Sequence, residues 1–164
     1  MKKLEHSYAT ILMSSKKLIY IGNRLEPQGG TPTSIDFLAP LLEQAGHEVK
    51  TASAKSNKML RLADMLLLIL KNSGTSQVVL IDTYSTSNFW YAYFSAMVCQ
   101  KLGMKYIPLL HGGDLPARLE RSPSACRTLF NNAALNISPS VFIKEKFLEN
   151  GIPRVQYIPN SLIL

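Results

Sequence analysis

The 164-residue chain is long enough for one hydrophobic core and short for two, and 46% of its residues are hydrophobic. Its formal net charge of +7 is spread along the chain, and the longest basic clusters are pairs without interleaved aromatic residues, which argues against a nucleic-acid partner. Diffuse positive charge suits an anionic ligand or an anionic membrane surface equally well.

The cysteine content and the N-terminal sequence indicate the compartment. Cys99 and Cys126 lack the spacing of a metal or redox site, so two reduced thiols are expected. Glu5, His6 and Ser7 interrupt the N-terminal segment, and no secretory signal is predicted. No apolar run is long enough to span a membrane. The sequence therefore predicts a soluble, cytoplasmic protein.

The first predicted unit is a strand, a glycine-containing loop and a helix. Leu18–Ile21 is a continuous apolar run, typical of a strand buried on both faces of a parallel sheet. Gly29 and Gly30 then precede a helix that is expected to be N-capped by Thr31 and to end at Gly46. A helix N-terminus at the carboxyl end of a strand can bind phosphate or another anion.

The rest of the chain alternates between strand-like and helix-like segments. Further strands are predicted at residues 47–54, 77–82, 105–111, 135–137 and 155–158. Further helices are predicted at residues 57–72, 88–102, 122–132 and 138–151. Pro108 lies within a predicted strand, which is therefore expected to start late or to contain a bulge. Residues 83–87 are expected to form a loop, and the aromatic residues 89–94 are expected to lie in the core.

This alternation predicts βαβ units and a parallel sheet covered by helices. The expected fold is a Rossmann-like, three-layer α/β/α domain over residues 16–164, with a mostly parallel sheet of about six to seven strands. Residues 1–15 show no clear hydrophobic period and are predicted to be an N-terminal extension. The Ser/Thr-Pro pairs at residues 31–32, 122–123 and 138–139 each introduce a predicted helix, which supports the segmentation.

Polar residues and glycines follow the predicted strands at their carboxyl ends, where ligands of such sheets bind. The candidate site residues are Asn23, Gly29, Gly30, Thr31, Asp82, Thr83, Tyr84, Ser85, His111, Gly112, Gly113, Asp114, Ser138 and Asn160. Some of them have simpler explanations. His111 could be a hydrogen-bonded strand-end residue, Asp82 could stabilise its own loop, and Asp114 could N-cap a short helix.

The common nucleotide-binding and catalytic motifs are absent from the sequence. No G-x-G-x-x-G follows the first strand, no Walker-type lysine follows the glycine pair, and no G-x-S-x-G elbow is present. The His, Cys and carboxylate residues do not have metal-binding spacing. NAD binding, ATP hydrolysis and a metal centre are therefore not expected.

Five segments, in order along the chain, are GNRLEPQGGTPTSIDFLAPLLEQAGHEV, IDTYST, LLHGGDLP, NISPS and IPNS. Together they resemble the N-terminal domain of a family-four glycosyltransferase of the GT-B type, and the resemblance covers nearly the whole chain from Lys17. It implies one half of a two-domain, retaining hexosyltransferase. Such an enzyme transfers a sugar from a nucleotide sugar to a glycan or lipid-linked acceptor, and the resemblance implies no metal or other cofactor.

The resemblance also implies roles for individual residues. Gly29, Gly30 and Thr31 would bind the donor diphosphate, and His111 would be a catalytic residue near the transferred sugar. The remaining candidates would line the cleft or contact the acceptor: Asn23, Asp82, Thr83, Tyr84, Ser85, Gly112, Gly113, Asp114, Ser138 and Asn160. Backbone N–H groups and a helix N-terminus can stabilise a departing diphosphate without a metal.

The donor domain of that family, with its paired glutamates, has no counterpart in the sequence. The chain alone is therefore expected to be inactive, because donor binding and proximity need the second domain. A stand-alone binding module, a subunit completed by a separate donor-domain chain, and an unrelated nucleotide-binding Rossmann-like protein are the alternatives. The expected partners are the nucleotide-sugar donor, the acceptor and the donor domain. The predicted helix at residues 57–72 has basic margins, so contact with the inner face of an anionic membrane is also considered.

Overall fold

A computed structural model describes residues 17–24 and 29–159 of the chain. The predicted N-terminal extension and the candidate residue Asn160 lie outside the described residues. Within them the chain forms one sheet with helices on both of its faces, which confirms the Rossmann-like, three-layer α/β/α prediction.

The sheet contains six parallel strands in the order β2-β1-β3-β4-β5-β6. The strands are β1 (Lys17–Ile21), β2 (Glu48–Ala52), β3 (Val78–Tyr84), β4 (Lys105–His111), β5 (Asn136–Ser138) and β6 (Val155–Tyr157). Because all six run the same way, the loops that follow them meet at one edge of the sheet. That edge is the carboxyl edge, where the candidate residues were expected.

Six helices in the described residues connect the strands. They are α1 (Ser34–Gln44), α2 (Lys58–Asn72), α3 (Phe89–Lys101), α4 (Leu115–Arg121), α5 (Pro123–Asn131) and α6 (Val141–Glu149). Helix α1 packs on one face of the sheet, and the other five pack on the opposite face, so the domain has two hydrophobic cores. The strands alternate between these cores: in β1, Leu18 and Tyr20 belong to one, and Ile19 and Ile21 to the other.

The start of α1 differs from the prediction. Thr33, not Thr31, is the N-cap residue, and Pro32 precedes the cap. The Thr33 N–H donates to Asp36 Oδ2 at 2.8 Å, and the Thr33 hydroxyl donates to the Asn23 carbonyl at 2.5 Å. Asp36, three residues after the N-cap, accepts a hydrogen bond from the Thr33 N–H. This bond fixes the helix start two residues later than the Thr31-Pro32 pair indicated.

Three other boundary predictions are wrong. Strand β3 continues through Thr83 and Tyr84 because β4 pairs with it as far as His111. Pro108 pairs opposite Ile81 in an unbroken register, so β4 neither starts late nor bulges against β3. The helix expected from residue 138 begins at Val141 with Ser140 as its N-cap, and its first-turn N–H is satisfied by the Ser140 hydroxyl.

The aromatic residues of α3 are only partly in the core. Phe89 is fully buried, whereas Trp90 and Phe94 are 42% and 41% exposed. These two side chains lie one helical turn apart on the solvent side of α3. The prediction that the whole aromatic segment is buried is therefore wrong, because α3 needs only one face for the sheet.

Candidate active site

The Asp82 carboxylate is the centre of a buried polar cluster at the carboxyl edge. Asp82 is 5% exposed, and its Oδ1 accepts a hydrogen bond from the Tyr20 hydroxyl at 2.9 Å. The His111 Nε2 lies 2.9 Å from the same oxygen. Asp82 therefore binds side chains from β1 and β4 and does not stabilise its own loop. Its other oxygen, Oδ2, has no hydrogen-bond partner among the described residues.

Gly22 provides the room for that carboxylate. A Cβ atom at position 22 would lie 2.5 Å from Asp82 Oδ2 and 3.2 Å from Ile35 Cβ. A real Cβ cannot make such a contact, so a larger residue would push Asp82 away from its partners. The glycine directly after β1 is thus a requirement of the polar cluster.

His111 connects the end of β4 to the start of α1. Its Nδ1 lies 3.5 Å from the Ser34 hydroxyl, and Ser34 is the first residue of α1. The ring stacks on Tyr84 with 5.2 Å between centroids, and 13% of the side chain is exposed. The helix N-terminus and the strand-end histidine, which the sequence placed at one edge, are therefore neighbours.

The two tyrosines of the cluster remain protonated at neutral pH. Burial, followed by the Asp82 charge, raises the pKa of Tyr84 to about 12, although the Ser34 hydroxyl acts in the opposite direction. The same two causes, in the same order, raise the pKa of Tyr20 further. Both hydroxyls are thus neutral donors, and Tyr84 is the more exposed of the two.

Two arginines lie close to the end of β1. The Arg24 guanidinium donates to Asp36 Oδ1 and to the Thr51 hydroxyl, each at 3.3 Å. Arg61 donates to Asn23 Oδ1 at 3.4 Å, and Asn23 is 6% exposed. Arg24 is paired with the Asp36 carboxylate, so Arg61 is the cation that these contacts add near the N-terminus of α1, where an anion is favoured.

The glycine-rich loops stay accessible. Gly29, Gly30 and Thr31 are exposed just before α1, and Gly112 and Gly113 are exposed just after His111. Gly29 and Gly112 have φ values of 74° and 92°, which suit glycine. Backbone can thus approach a ligand on both sides of His111.

The remaining sequence-predicted residues are used structurally. The Ser138 and Thr83 side chains are fully buried, and they hydrogen-bond to the Ser140 carbonyl and the Ile81 carbonyl at 2.7 and 3.1 Å. Asp114 occupies the N-cap position of α4 without a side-chain cap bond and pairs with Arg121 instead. None of these three side chains joins the Asp82 cluster.

Arg118 of α4 fixes the loop after β3. Its Nε donates to the Ser85 carbonyl at 2.9 Å, and its Nη2 contacts the carbonyls of Ser85 and Thr86. The guanidinium also lies 5.0 Å from the centre of the Phe89 ring. Ser85 is therefore held through its backbone, and the loop that follows β3 is joined to α4.

A cavity of about 10 Å³ lies beside Asp82. Its lining residues are Ile21, Gly22, Asn23, Met65, Asp82, Tyr84, Asn88 and Tyr91. This volume has room for about one water molecule, so the cavity cannot hold a substrate. His111, Tyr84 and the start of α1 form the rim of the carboxyl edge outside this cavity.

Two other chemistries fit this geometry poorly. Ser34, His111 and Asp82 have the order of a nucleophile, a base and a carboxylate, but the Ser34 hydroxyl is 3.5 Å from His111 Nδ1, at the outer limit of hydrogen bonding. The geometry does not show an activated serine. Within residues 17–24 and 29–159, no three His, Cys, Asp or Glu side chains are grouped to hold a metal ion.

The sheet order and the polar carboxyl edge define a Rossmann-like α/β protein with a candidate site at that edge. A scan of protein-family models gives no match to the chain, and a search of curated proteins finds no similar sequence. In the part of the chain that the structure describes, no helix has the length and hydrophobicity needed to cross a bilayer.

Proposed function

We propose that the chain is the N-terminal, acceptor-side half of a retaining GT-B glycosyltransferase, which transfers a sugar from a nucleotide sugar to a glycan or lipid-linked acceptor. One observation carries the proposal. His111, held by Asp82, lies at the rim beside the N-terminus of α1 and between two exposed glycine loops. The sequence resemblance assigns the same features: His111 to the transferred sugar, and the glycine loop with the helix N-terminus to the diphosphate.

In this proposal some groups at the carboxyl edge stabilise charge, and others position the sugar. The first N–H groups of α1 and the backbone of Gly29 and Gly30 stabilise the departing diphosphate, whose negative charge grows in the transition state. Asp82 fixes the orientation of the His111 ring, so that Nδ1 faces Ser34 at the start of α1, where the sugar next to the diphosphate would lie. Tyr84, a neutral hydroxyl beside the ring, can donate to a sugar or acceptor oxygen.

In this proposal a donor domain, either in the same polypeptide or in a separate chain, completes the enzyme. The enzyme needs no metal or cofactor beyond the nucleotide-sugar substrate. We also propose that the enzyme acts in the cytoplasm, in the synthesis of a surface polysaccharide or a glycolipid. Two free, buried cysteines agree with a reducing compartment. Without a donor domain, the chain is expected not to catalyse sugar transfer.

The first test is the replacement of His111 in an enzyme that contains this chain together with its donor domain. We expect His111→Ala to lower kcat/KM for sugar transfer by about 100-fold or more, in the range typical of a positioned catalytic side chain. Transfer of radiolabelled sugar from nucleotide sugars to isolated lipid acceptors measures the effect. His47→Ala is the control, because His47 precedes β2 at the other edge of the sheet. Wild-type activity of His111→Ala would remove His111 from the site.

A second test uses the chain itself and separates the transferase from an unrelated nucleotide-binding protein. Titration of the ¹⁵N-labelled chain with pyrophosphate should shift the amide resonances of Gly29, Gly30 and Ser34, although only weakly, because most of the donor site belongs to the second domain. NAD and flavin mononucleotide serve as competitors of the other class. Tight, saturable binding of either one would favour the unrelated Rossmann-like protein.

A further inference from the structure

The solvent-facing side of α2 is apolar along its length. Met59, Leu60, Leu67 and Leu70 are 74%, 60%, 50% and 49% exposed, and Ala63 between them is exposed as well. We call these five residues the outer apolar face. An exposed helix of a globular protein normally has polar and charged residues on the side that faces water. A continuous apolar surface of this kind marks a contact with something else.

This face is not a displaced core face. The opposite side of α2 already packs on the sheet through Met65 and Ile69, which are fully buried. The single acidic residue of α2, Asp64, accepts a hydrogen bond from the Ser53 hydroxyl at 2.6 Å and is oriented toward the end of β2. Helix α2, all of whose residues the structure describes, therefore presents no carboxylate on its outer apolar face.

The neighbouring helix also exposes apolar side chains. Helices α2 and α3 pack against each other on the same face of the sheet. Trp90 and Phe94 are exposed on α3, with 6.3 Å between their ring centres. Both helices follow a strand, so both begin at the carboxyl edge. The apolar surface thus starts beside the edge that carries the candidate site.

Basic residues border the apolar surface at both ends of α2. Lys55 and Lys58 are exposed at its beginning, and Lys71 is exposed in its last turn. The whole chain has a formal net charge of +7, so long-range electrostatics also favour a negatively charged partner. Apolar side chains in the centre with lysines at the margins are the pattern of a helix that lies in a membrane interface.

We propose that the outer apolar face, together with Trp90 and Phe94, docks onto the surface of an anionic lipid bilayer. The apolar side chains enter the boundary between headgroups and acyl chains, and Lys55, Lys58 and Lys71 contact lipid phosphates. The helix lies in the plane of the interface and does not cross the bilayer. This inference rests on α2 and α3 alone and is independent of the sugar-transfer chemistry.

Flotation with lipid vesicles tests the proposal on the full chain. Binding should be strong to vesicles that contain equal parts of phosphatidylcholine and phosphatidylglycerol and weak to pure phosphatidylcholine. The double variant Leu60→Gln/Leu67→Gln should lower the partition coefficient by about tenfold or more, because two half-exposed leucines lose their apolar environment. Lys58→Gln and Lys71→Gln should each lower it by about fivefold, and added salt should reduce this difference.

Phe37→Gln is the matched control. Phe37 is 51% exposed on α1, on the opposite face of the sheet, so it should leave vesicle binding unchanged. All variants replace exposed residues, and thermal unfolding monitors their fold. If Leu60→Gln/Leu67→Gln is destabilised, Met59→Gln/Leu70→Gln provides the same comparison on the same face.

Three results would overturn the proposal. One is equal binding to vesicles with and without phosphatidylglycerol, and another is an equal loss of binding in Phe37→Gln. The third is self-association in the absence of lipid, detected by analytical ultracentrifugation and abolished by Leu60→Gln/Leu67→Gln. That result would assign the outer apolar face to a contact between copies of the chain.

Discussion

At the scale of single residues, the candidate site depends on how a buried carboxylate is kept satisfied. Asp82 has almost no contact with water, and a buried charge is costly unless it is paired and hydrogen-bonded. Tyr20 and His111 both bind the same oxygen. Each of them therefore stabilises Asp82, and Asp82 in turn fixes the orientation of the His111 ring.

Removal of the Tyr20 hydroxyl tests the stabilising part of this arrangement. We expect Tyr20→Phe to lower the free energy of unfolding by about 1–3 kcal/mol, because a charged acceptor loses a buried donor that water cannot replace. Urea unfolding followed by circular dichroism measures the change. Tyr157→Phe, at a tyrosine that is 41% exposed, should stay within about 0.5 kcal/mol of the wild type.

Addition of a single methyl group at Gly22 tests the space that Asp82 needs. Gly22→Ala should lower the free energy of unfolding by about 1–3 kcal/mol, since the new Cβ overlaps Asp82 Oδ2. The NMR signals of the His111 ring should shift at the same time. Gly74→Ala is the matched control, because nothing lies within 4 Å of a Cβ there. Equal stability of the two variants would contradict the geometry at Gly22.

The sequence predicted some of these residues and not others. Asp82 and His111 could be predicted as site candidates because each lies at the end of an apolar, strand-like run. Tyr20 could not, because it is 62 residues from Asp82 and lies within a run that indicates only a buried strand. Ser34 and Gly22 were missed for the same reason: their contacts arise only when β1, β3 and β4 are neighbours.

At the scale of helices and strands, local side chains decide where a helix begins. The Asn57 side chain accepts hydrogen bonds from the N–H groups of Met59 and Leu60 at 2.9 and 3.1 Å, whereas Asn88, at the same position before α3, makes no such bond. The two asparagines form a natural comparison, because they have the same residue type and the same place in a helix.

Asn57→Ala should therefore lower the free energy of unfolding by about 1 kcal/mol, since two N–H groups of α2 lose their partner. Asn88→Ala should have an effect of less than about 0.5 kcal/mol. Chemical denaturation of both variants under one condition gives the comparison. A larger loss for Asn88→Ala would contradict the observed capping.

The Ser/Thr-Pro pairs predicted some helix starts correctly and others wrongly, depending on whether a competing cap follows the pair. Ser122-Pro123 does begin α5, because no competing cap follows. Thr31-Pro32 does not begin α1, because Thr33 and Asp36 form a stronger start two residues later. The presence of the strands was easier to predict, since buried parallel strands are continuous apolar runs, but the end of β3 depends on its pairing with β4, which the sequence does not show.

At the scale of the whole molecule, the hydrophobic core between the sheet and helices α2–α6 contains ionisable groups whose neutral forms are favoured by folding. Burial raises the pKa of Cys99 and Tyr106 to about 12 and that of Cys126 to about 11, from values of 9.0 for the cysteines and 10.0 for the tyrosine. The folded chain therefore keeps these protons at a pH at which the unfolded chain releases them.

The free energy of unfolding should consequently be steady up to about pH 8 and should fall between about pH 9 and pH 12, by up to about 1.4 kcal/mol per pH unit for each group. The sign follows because the native state binds more protons than the unfolded state in this range. Urea unfolding across the range measures the slope. Tyr106→Phe should make the slope shallower above about pH 10, whereas an unchanged slope would exclude Tyr106 as a contributor.

The contacts of Arg118 have a consequence for how the carboxyl edge responds to a bound molecule. One guanidinium, carried by the helix after β4, binds the backbone of the loop after β3. Residues 85 and 86 and helix α4 therefore cannot separate without breaking those hydrogen bonds, and Arg118 ties the two segments into one mechanical unit.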